Sequence, residues 1–383
     1  MATQEAPFAD LPAALVEEVI QQTTEVSEIL LETFKKVKAD QDSFKKELQK
    51  RDLVRNESSL GYPPLPTTCG TDGSYGIERL LTADLVAAAA VAVEGLTPPS
   101  EKRHWEQPRH TTYVKPETHH PDTATVVRAI MIGSELVLAS KAPHDLIMID
   151  GSLTIPIIYF NQAISKAHDA PGLQCSKDLI ERIPGYLEAY ASVLVSERSD
   201  RNFSGLPKYS TRSEIGVFLG WPPQYDDRSI LTFLLNPGEF TSPMAMKNPD
   251  DPKWHLGTKN LPHGIKEQAS QLAEIIISNL EQVSILYYKP HDWMPALRIE
   301  VPNAIATNKH RLATVLQGIK HQCATPSMLE PYPLYLADRT VKALARAIPT
   351  FRQVTTQRIS ERFTGNIGEI YMAMHGYRTE TGR

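Results

Sequence analysis

Leu146-Ile147-Met148-Ile149-Asp150-Gly151-Ser152 is the stretch on which the fold turns. Its apolar run reads as a buried strand, and the strand stops at an aspartate followed by a glycine. A carboxylate at the end of an apolar strand is poorly solvated and wants a cation. The same tripeptide occurs earlier, at Asp72-Gly73-Ser74. Two such aspartates, brought together by a sheet, would make a divalent-metal site. The glycine after each permits a sharp turn or a close backbone approach by substrate. Taken singly, either Asp-Gly is explained by turn chemistry alone.

Working outward, helices and strands alternate along the chain, which predicts a layered α/β architecture. Residues from about Leu11 to Asp52 read as one amphipathic helix. Its apolar stripe runs through Leu15, Val19, Val26, Ile29, Leu30, Phe34, Val37, Phe44 and Leu48. That stripe suits either packing on its own domain or contact with a second copy or partner. Gly61-Tyr62-Pro63-Pro64-Leu65-Pro66 ends the helix and acts as a rigid linker. The expected division is therefore a helical extension over 1–60 and a second domain over 61–383.

Further along, Leu85–Val93 is ambiguous between helix and strand. Asp122-Thr123 caps a helix that runs to about Ser140, and Tyr186–Val195 reads as a helix and then a strand. Short strands are expected at Thr111–Val114, Ile215–Leu219, Ile230–Leu234, Val283–Tyr288 and Ala296–Val301. The turn-rich Trp221-Pro222-Pro223 separates the third from the second. A long polar loop is expected over Asn236–His263, and helices over Ile265–Leu280, Asn308–Gly318 and Asp338–Ile348.

Composition narrows the function. A net charge of -5 argues against a passive nucleic-acid coating protein. Positive charge is nevertheless concentrated at one end: from Arg339 onward there are eight Arg/Lys and three Glu, a balance of +5. No uninterrupted apolar run spans a bilayer, and Met1–Glu5 does not open like a signal peptide, so no membrane association and a cytoplasmic location are expected. Cys69, Cys175 and Cys323 are odd in number and fit no metal pattern, as reduced thiols would be. His119-His120 with Asp122 is a weak metal candidate. No phosphate-cradling glycine loop of a nucleotide motor is present.

Glu135 lies on the helix leading into the second Asp-Gly-Ser, two turns after Arg128. It either pairs with Arg128 or turns toward a metal. Arg298, within Leu-Arg-Ile-Glu, either contacts phosphate or pairs with Glu300. Arg339, Lys342 and Arg346 recur at three- and four-residue steps on one helix face, either along a DNA path or as a solvated surface.

Asp72-Gly-Ser, the helix bearing Glu135, Leu-Ile-Met-Ile-Asp150-Gly-Ser-Leu153, Leu297-Arg-Ile-Glu-Val-Pro302 and Tyr332-Pro-Leu-Tyr-Leu336 occur in this order. Together they resemble the NurA nuclease family over roughly residues 62–350. The resemblance implies an RNase H-like fold, a mixed sheet flanked by helices, with Leu85–Val93 as a strand. It implies a deoxyribonuclease dependent on manganese, with magnesium as the alternative, having 5′ to 3′ exonuclease and single-strand endonuclease activity. It also implies a homodimer docked on a hexameric HerA-type ATPase, in DNA end processing or in defence against foreign DNA. The family's acidic residues fall on Asp72, Glu135 and Asp150, and its late tyrosine on Tyr332. The family histidine falls on Thr340. Asp338, two residues earlier, would replace it as a ligand, or His310 or His321 would approach from elsewhere. Two rivals remain open: a non-catalytic subunit coupling a translocase to DNA, and a nuclease acting on RNA or hybrids.

Overall fold

A computed structural model describes residues 11–208, 213–222, 226–246 and 253–382. Met1–Glu5, Pro223, part of the expected 236–263 loop and the side chain of Val37 lie outside the described residues. The strands are β1 (Val54–Asn56), β2 (Thr68–Leu80), β3 (Asp84–Glu94), β4 (Arg109–Glu117), β5 (Leu146–Asp150), β6 (Asn202–Leu206), β7 (Glu239–Thr241), β8 (Met244–Ala245), β9 (Ser284–Tyr288), β10 (Leu297–Val301) and β11 (Gly376–Gly382). The helices are α1 (Ala13–Lys50), α2 (Thr123–Lys141), α3 (Ile155–Asp169), α4 (Gln174–Val195), α5 (Glu214–Leu219), α6 (Asp227–Leu234), α7 (His263–Leu280), α8 (Asn303–Ala306), α9 (Lys309–Gln322), α10 (Tyr332–Ser360) and α11 (Ile367–Ala373).

The strands form one mixed sheet in the order β1-β7-β9-β10-β6-β5-β2-β3-β4, with β11 on β2 and β8 on β9. β5 is parallel to both β2 and β6, while β2, β3 and β4 make an antiparallel meander. Strand β2 is shared along its length. Residues 68–71 pair with β5 and residues 75–80 with β11, so Asp72 falls where its neighbour changes.

Side chains alternate across a strand, and β5 divides two layers accordingly. Ile147 and Ile149 enter a core with α2, α3 and α4, whereas Leu146 and Met148 enter a core with α9 and Leu334 of α10. Asp150 shares the parity of Leu146 and Met148, so its carboxylate is set toward the α10 layer. Gly70, of the same parity as Asp72, has no room for a Cβ, which would meet the Pro333 and Leu334 backbone at 2.7 Å. That close approach holds the start of α10 against β2.

The alanine-rich segment is strand β3, buried along its whole length between β2 and β4. Two-sided burial overrides alanine's helical propensity. Three local expectations are corrected. Residues 186–195 continue as helix α4 to Val195, without a following strand. Ile215–Leu219 and Ile230–Leu234 are helical, as α5 and α6. Short apolar runs do not distinguish strand from helix, and end chemistry decides here. Asp227 accepts the Ile215 and Gly216 amides at 2.8 Å each, and Asp226 caps α6 through the Ser229 amide. The expected polar loop contains β7, β8 and a short 3-10 turn at Thr258–Asn260.

Helix α1 is exposed over most of its length: Leu15, Val19, Ile20, Val26, Ile29, Leu30 and Phe34 lie open, while Phe44 and Leu48 are buried in the main core. β1, which follows, pairs with β7. The end of the N-terminal segment thus belongs to the same sheet and core as the rest. Thr123–Lys141 is long and apolar enough to cross a bilayer, but it is the core helix α2, with Val126, Ile130 and Leu136 buried.

Candidate metal centre

The last registered pair of the parallel β2–β5 ladder is Thr71 opposite Ile149. One residue further on, Asp72 and Asp150 stand beside each other at the point where β5 ends. Gly151 takes a φ of +118°, which turns the chain sharply away at low cost. The turn is secured from β10. Glu300 accepts from the Ser152 hydroxyl at 2.6 Å and the Leu153 amide at 2.9 Å.

Helix α10 supplies the third carboxylate. One oxygen each from Asp72, Asp150 and Asp338 lie within 4.8 Å of one another. Asp72 and Asp150 are buried and Asp338 is half-buried. Three carboxylates this close repel one another unless a cation sits among them. Lys208, not foreseen from the sequence, meets that need in part. Its Nζ lies 2.9 Å from Asp150, 3.0 Å from Glu330 and 3.4 Å from Asp338. Burial pulls its pKa down, but the Asp150 and Glu330 carboxylates outweigh burial and hold the ammonium above its ordinary value. Burial raises the Glu330 carboxyl despite Lys208. For Asp338 burial is outweighed by Lys342 and Lys208, which hold it below the usual range.

The donor set fits a divalent cation. It offers converging oxygen ligands, which hard cations prefer, in a buried setting that already binds a positive group. Asp72, Asp150 and Asp338 would hold such an ion. Thr340 does not take part: it is exposed and donates to the Leu336 carbonyl at 2.7 Å. His310 and His321 are outside the cluster. His310 is in the exposed first turn of α9, and His321 packs by Gln322, which bonds the Leu96 backbone.

Glu135 is buried on α2, in the layer opposite α10, and lines a cavity of about 270 Å³ shared with Asp150 and Lys208. On the other side, Asp72 and Asp338 line a second cavity, of about 300 Å³, with Lys342 and Arg346. The first cavity reaches the acidic trio at Asp150, and the second reaches it at Asp72 and Asp338. Lys342 also pairs with Asp338 at 2.8 Å. Arg339 is exposed and rests on the Tyr335 ring, 5.6 Å from its centroid. Tyr332 is half-buried in the first turn of α10, two residues after Glu330.

Arg298 is corrected. It is 2% exposed and forms a fork with Glu214 at 2.6 and 2.8 Å, with Glu300 at 3.1 Å. Its guanidinium is committed inside the protein and does not face a DNA path. His119 pairs with Asp84 at 2.7 Å, and His120 lies 3.9 Å from Asp122, so the two adjacent histidines are separate contacts. All three cysteines are free and buried, and burial pushes the Cys323 thiol up to about 12. Inert thiols of this kind do not act as nucleophiles.

Residues 66–343 match the NurA domain family. Among solved structures, the NurA nuclease from Sulfolobus solfataricus aligns with a TM-score of 0.58 and 13% identity, covering 91% of this chain and 98% of that one. A second NurA structure aligns with a TM-score of 0.53 and 12% identity, covering 91% and 99%. At these identities the likeness is one of fold. No curated protein matches the chain.

Proposed function

We infer that this chain, which belongs to the NurA family, is a metal-dependent nuclease that cuts DNA. The observation that carries the inference is the convergence of Asp72, Asp150 and Asp338 within 4.8 Å where the neighbour of β2 changes, with a cavity bearing Lys342 and Arg346 beside them. Manganese is the expected ion and magnesium the alternative, since both accept carboxylate oxygens. When bound, the metal would activate water and offset charge on the phosphate and leaving oxygen, as two ions do in phosphodiesterases.

The chain's own residues do the rest. Asp72, Asp150 and Asp338 hold the cation, and Glu135 extends the shell from the α2 side. Lys342 and Arg346 neutralise the phosphates of a strand running over the second cavity, with Arg339 further along the same helix. Tyr332 can donate its phenolic hydrogen to a phosphate oxygen or to water. Exonuclease action from 5′ ends and endonuclease action on single strands belong to the same proposal.

A homodimer is supported by the exposed apolar stripe of α1, which soluble chains seldom leave uncovered over such a length. A hexameric HerA-type ATPase is the expected second partner, because the sequence carries no phosphate-binding loop of its own. End processing or defence against foreign DNA is the corresponding role. The 61–383 unit is proposed as the nuclease domain and 1–60 as its helical extension.

The test is cleavage of labelled single- and double-stranded DNA with and without Mn2+. The proposal expects Mn2+-dependent cutting by the wild type and its loss in Asp150→Asn. A wild type that cuts only RNA, or cuts nothing while binding DNA, would favour the two rivals instead.

A further inference from the structure

Strand β11 takes no part in holding the metal, yet it reaches the acidic trio. β5 pairs with β2 as far as Ile149 opposite Thr71, and β11 takes up the same edge from Gly382 opposite Tyr75 to Gly376 opposite Leu80. β11 thus lies in the lane that β5 leaves at Asp150. Burial does little to hold it: Tyr377, Arg378, Thr379 and Thr381 are exposed. Polar contacts hold it instead. Arg79 reaches Glu380 at 3.1 Å, and the Thr379 hydroxyl donates to Glu78 at 2.6 Å. Glu78 is buried and also meets Arg352 of α10 at 3.3 Å.

Register decides which side chains of β11 face α10. Asp72, Ser74, Gly76 and Glu78 share one face of β2, and residues directly opposite on paired strands share a face. Thr381 is opposite Gly76 and Thr379 opposite Glu78, so both hydroxyls lie on the face of Asp72. Arg378 and Glu380, opposite Arg79 and Ile77, take the other face. Helix α10 runs the same way as β2, with Leu334 against Gly70 and Ile348 against Gly76. Lys342 and Arg346 fall between, and they line one cavity of about 300 Å³ with Asp72, Asp338, Thr381 and Gly382. The result is a trough that starts at two metal ligands, with two cations on its α10 side and a hydroxyl on its β11 side.

We propose that β11 is the floor of the path taken by the cut strand, and that Thr381 is a substrate-binding residue that donates to a backbone phosphate. It rests on the nuclease reading above and adds a residue and a direction to it. The strand leaves the trio along β2 and α10, between Lys342 and Arg346 on one side and Thr381 on the other. Thr381 contacts a phosphate beyond the one being cut, since Gly76 lies four residues past Asp72, about 13 Å along a strand. Hydroxyl and cationic contacts to phosphate position a strand without reading its bases, so this part of the path is indifferent to sequence.

The test places opposite charges at Thr381. Affinity for a labelled single strand is measured by fluorescence anisotropy over a range of salt, without Mn2+ so that nothing is cut. Thr381→Lys is expected to tighten binding and to steepen its dependence on log salt by about 0.7, the effect of one more neutralised phosphate. Thr381→Glu is expected to weaken binding about fivefold, the scale of one exposed charge contact. Mn2+ affinity, measured by calorimetry, stays unchanged in both, because charges more than about 10 Å apart are largely screened. Arg378→Gln makes the same change in net charge on the opposite face of β11 and is expected to leave DNA binding unchanged. Equal affinities for the lysine and glutamate variants, a loss in both, or an equal loss in Arg378→Gln overturns the path while wild-type cleavage in Mn2+ keeps the nuclease reading. A wild type that neither binds nor cuts the strand overturns both.

Discussion

Asp72 and Asp150 are adjacent because the parallel β2–β5 ladder ends on the pair Thr71 and Ile149, one residue before each. The ladder's register, more than either loop, therefore sets their separation. Asp338 completes the trio from a helix whose first turn is pinned to β2 at Gly70.

Asp338→Ala is expected to weaken Mn2+ binding by more than about tenfold, since even outer groups around a metal matter by that factor. Thr340→Ala, which changes a side chain bonded to its own helix, is expected to leave binding within about twofold. Calorimetric Mn2+ titration of the two variants checks both.

Lys208→Met removes the ammonium from between Asp150, Glu330 and Asp338. The metal-free protein should lose about 1–2 kcal/mol, allowing for the partial exposure of the lysine. Mn2+ should restore more stability to this variant than to the wild type, because the carboxylates then lack their internal cation. Thermal melts with and without Mn2+ report the difference.

Arg298→Ala leaves Glu214 and Glu300 buried without their partner. Breaking a buried pair from one side costs about 3–5 kcal/mol, and Glu300 also holds the turn after Asp150. Urea unfolding should show a large drop in midpoint. The dependence of DNA affinity on salt, measured where the variant is folded, should match that of the wild type.

His144 gives the protein an acid-sensitive step. It is fully buried against Trp105 and His104, and burial lowers its pKa from 6.5 to about 4, with Glu94 opposing. The unfolded chain binds this proton more readily. The contribution is therefore complete above pH 6.5 and falls as pH drops toward 4, by on the order of 3 kcal/mol in total. Urea midpoints measured across that window should fall less steeply in His144→Phe than in the wild type.

Much of this was legible in the sequence. Leu146–Ile149 announced a strand and Asp150 its end, and the repeated Asp-Gly-Ser picked out two of the three aspartates that the fold brings together. Asp338 was visible as a substitute only because Thr340 broke the family pattern. Lys208 and Glu330 carried no local signal, since the fold alone brings them 3.0 Å apart. Of the two readings of Arg298, the pair with Glu300 holds and the phosphate contact does not, because alternation along β10 says which face it takes, not what covers that face. Glu214, its main partner, lies 84 residues away on a helix that reads as a strand from its short apolar run.

The central claim is that Asp72, Asp150 and Asp338 jointly hold the ion that cuts DNA. It is tested most directly by measuring Mn2+ binding and DNA cleavage on the same preparations of wild type and Asp72→Asn. The account predicts that the wild type binds Mn2+ and cuts, and that the folded variant loses both together. Undiminished Mn2+-dependent cleavage by Asp72→Asn would contradict it.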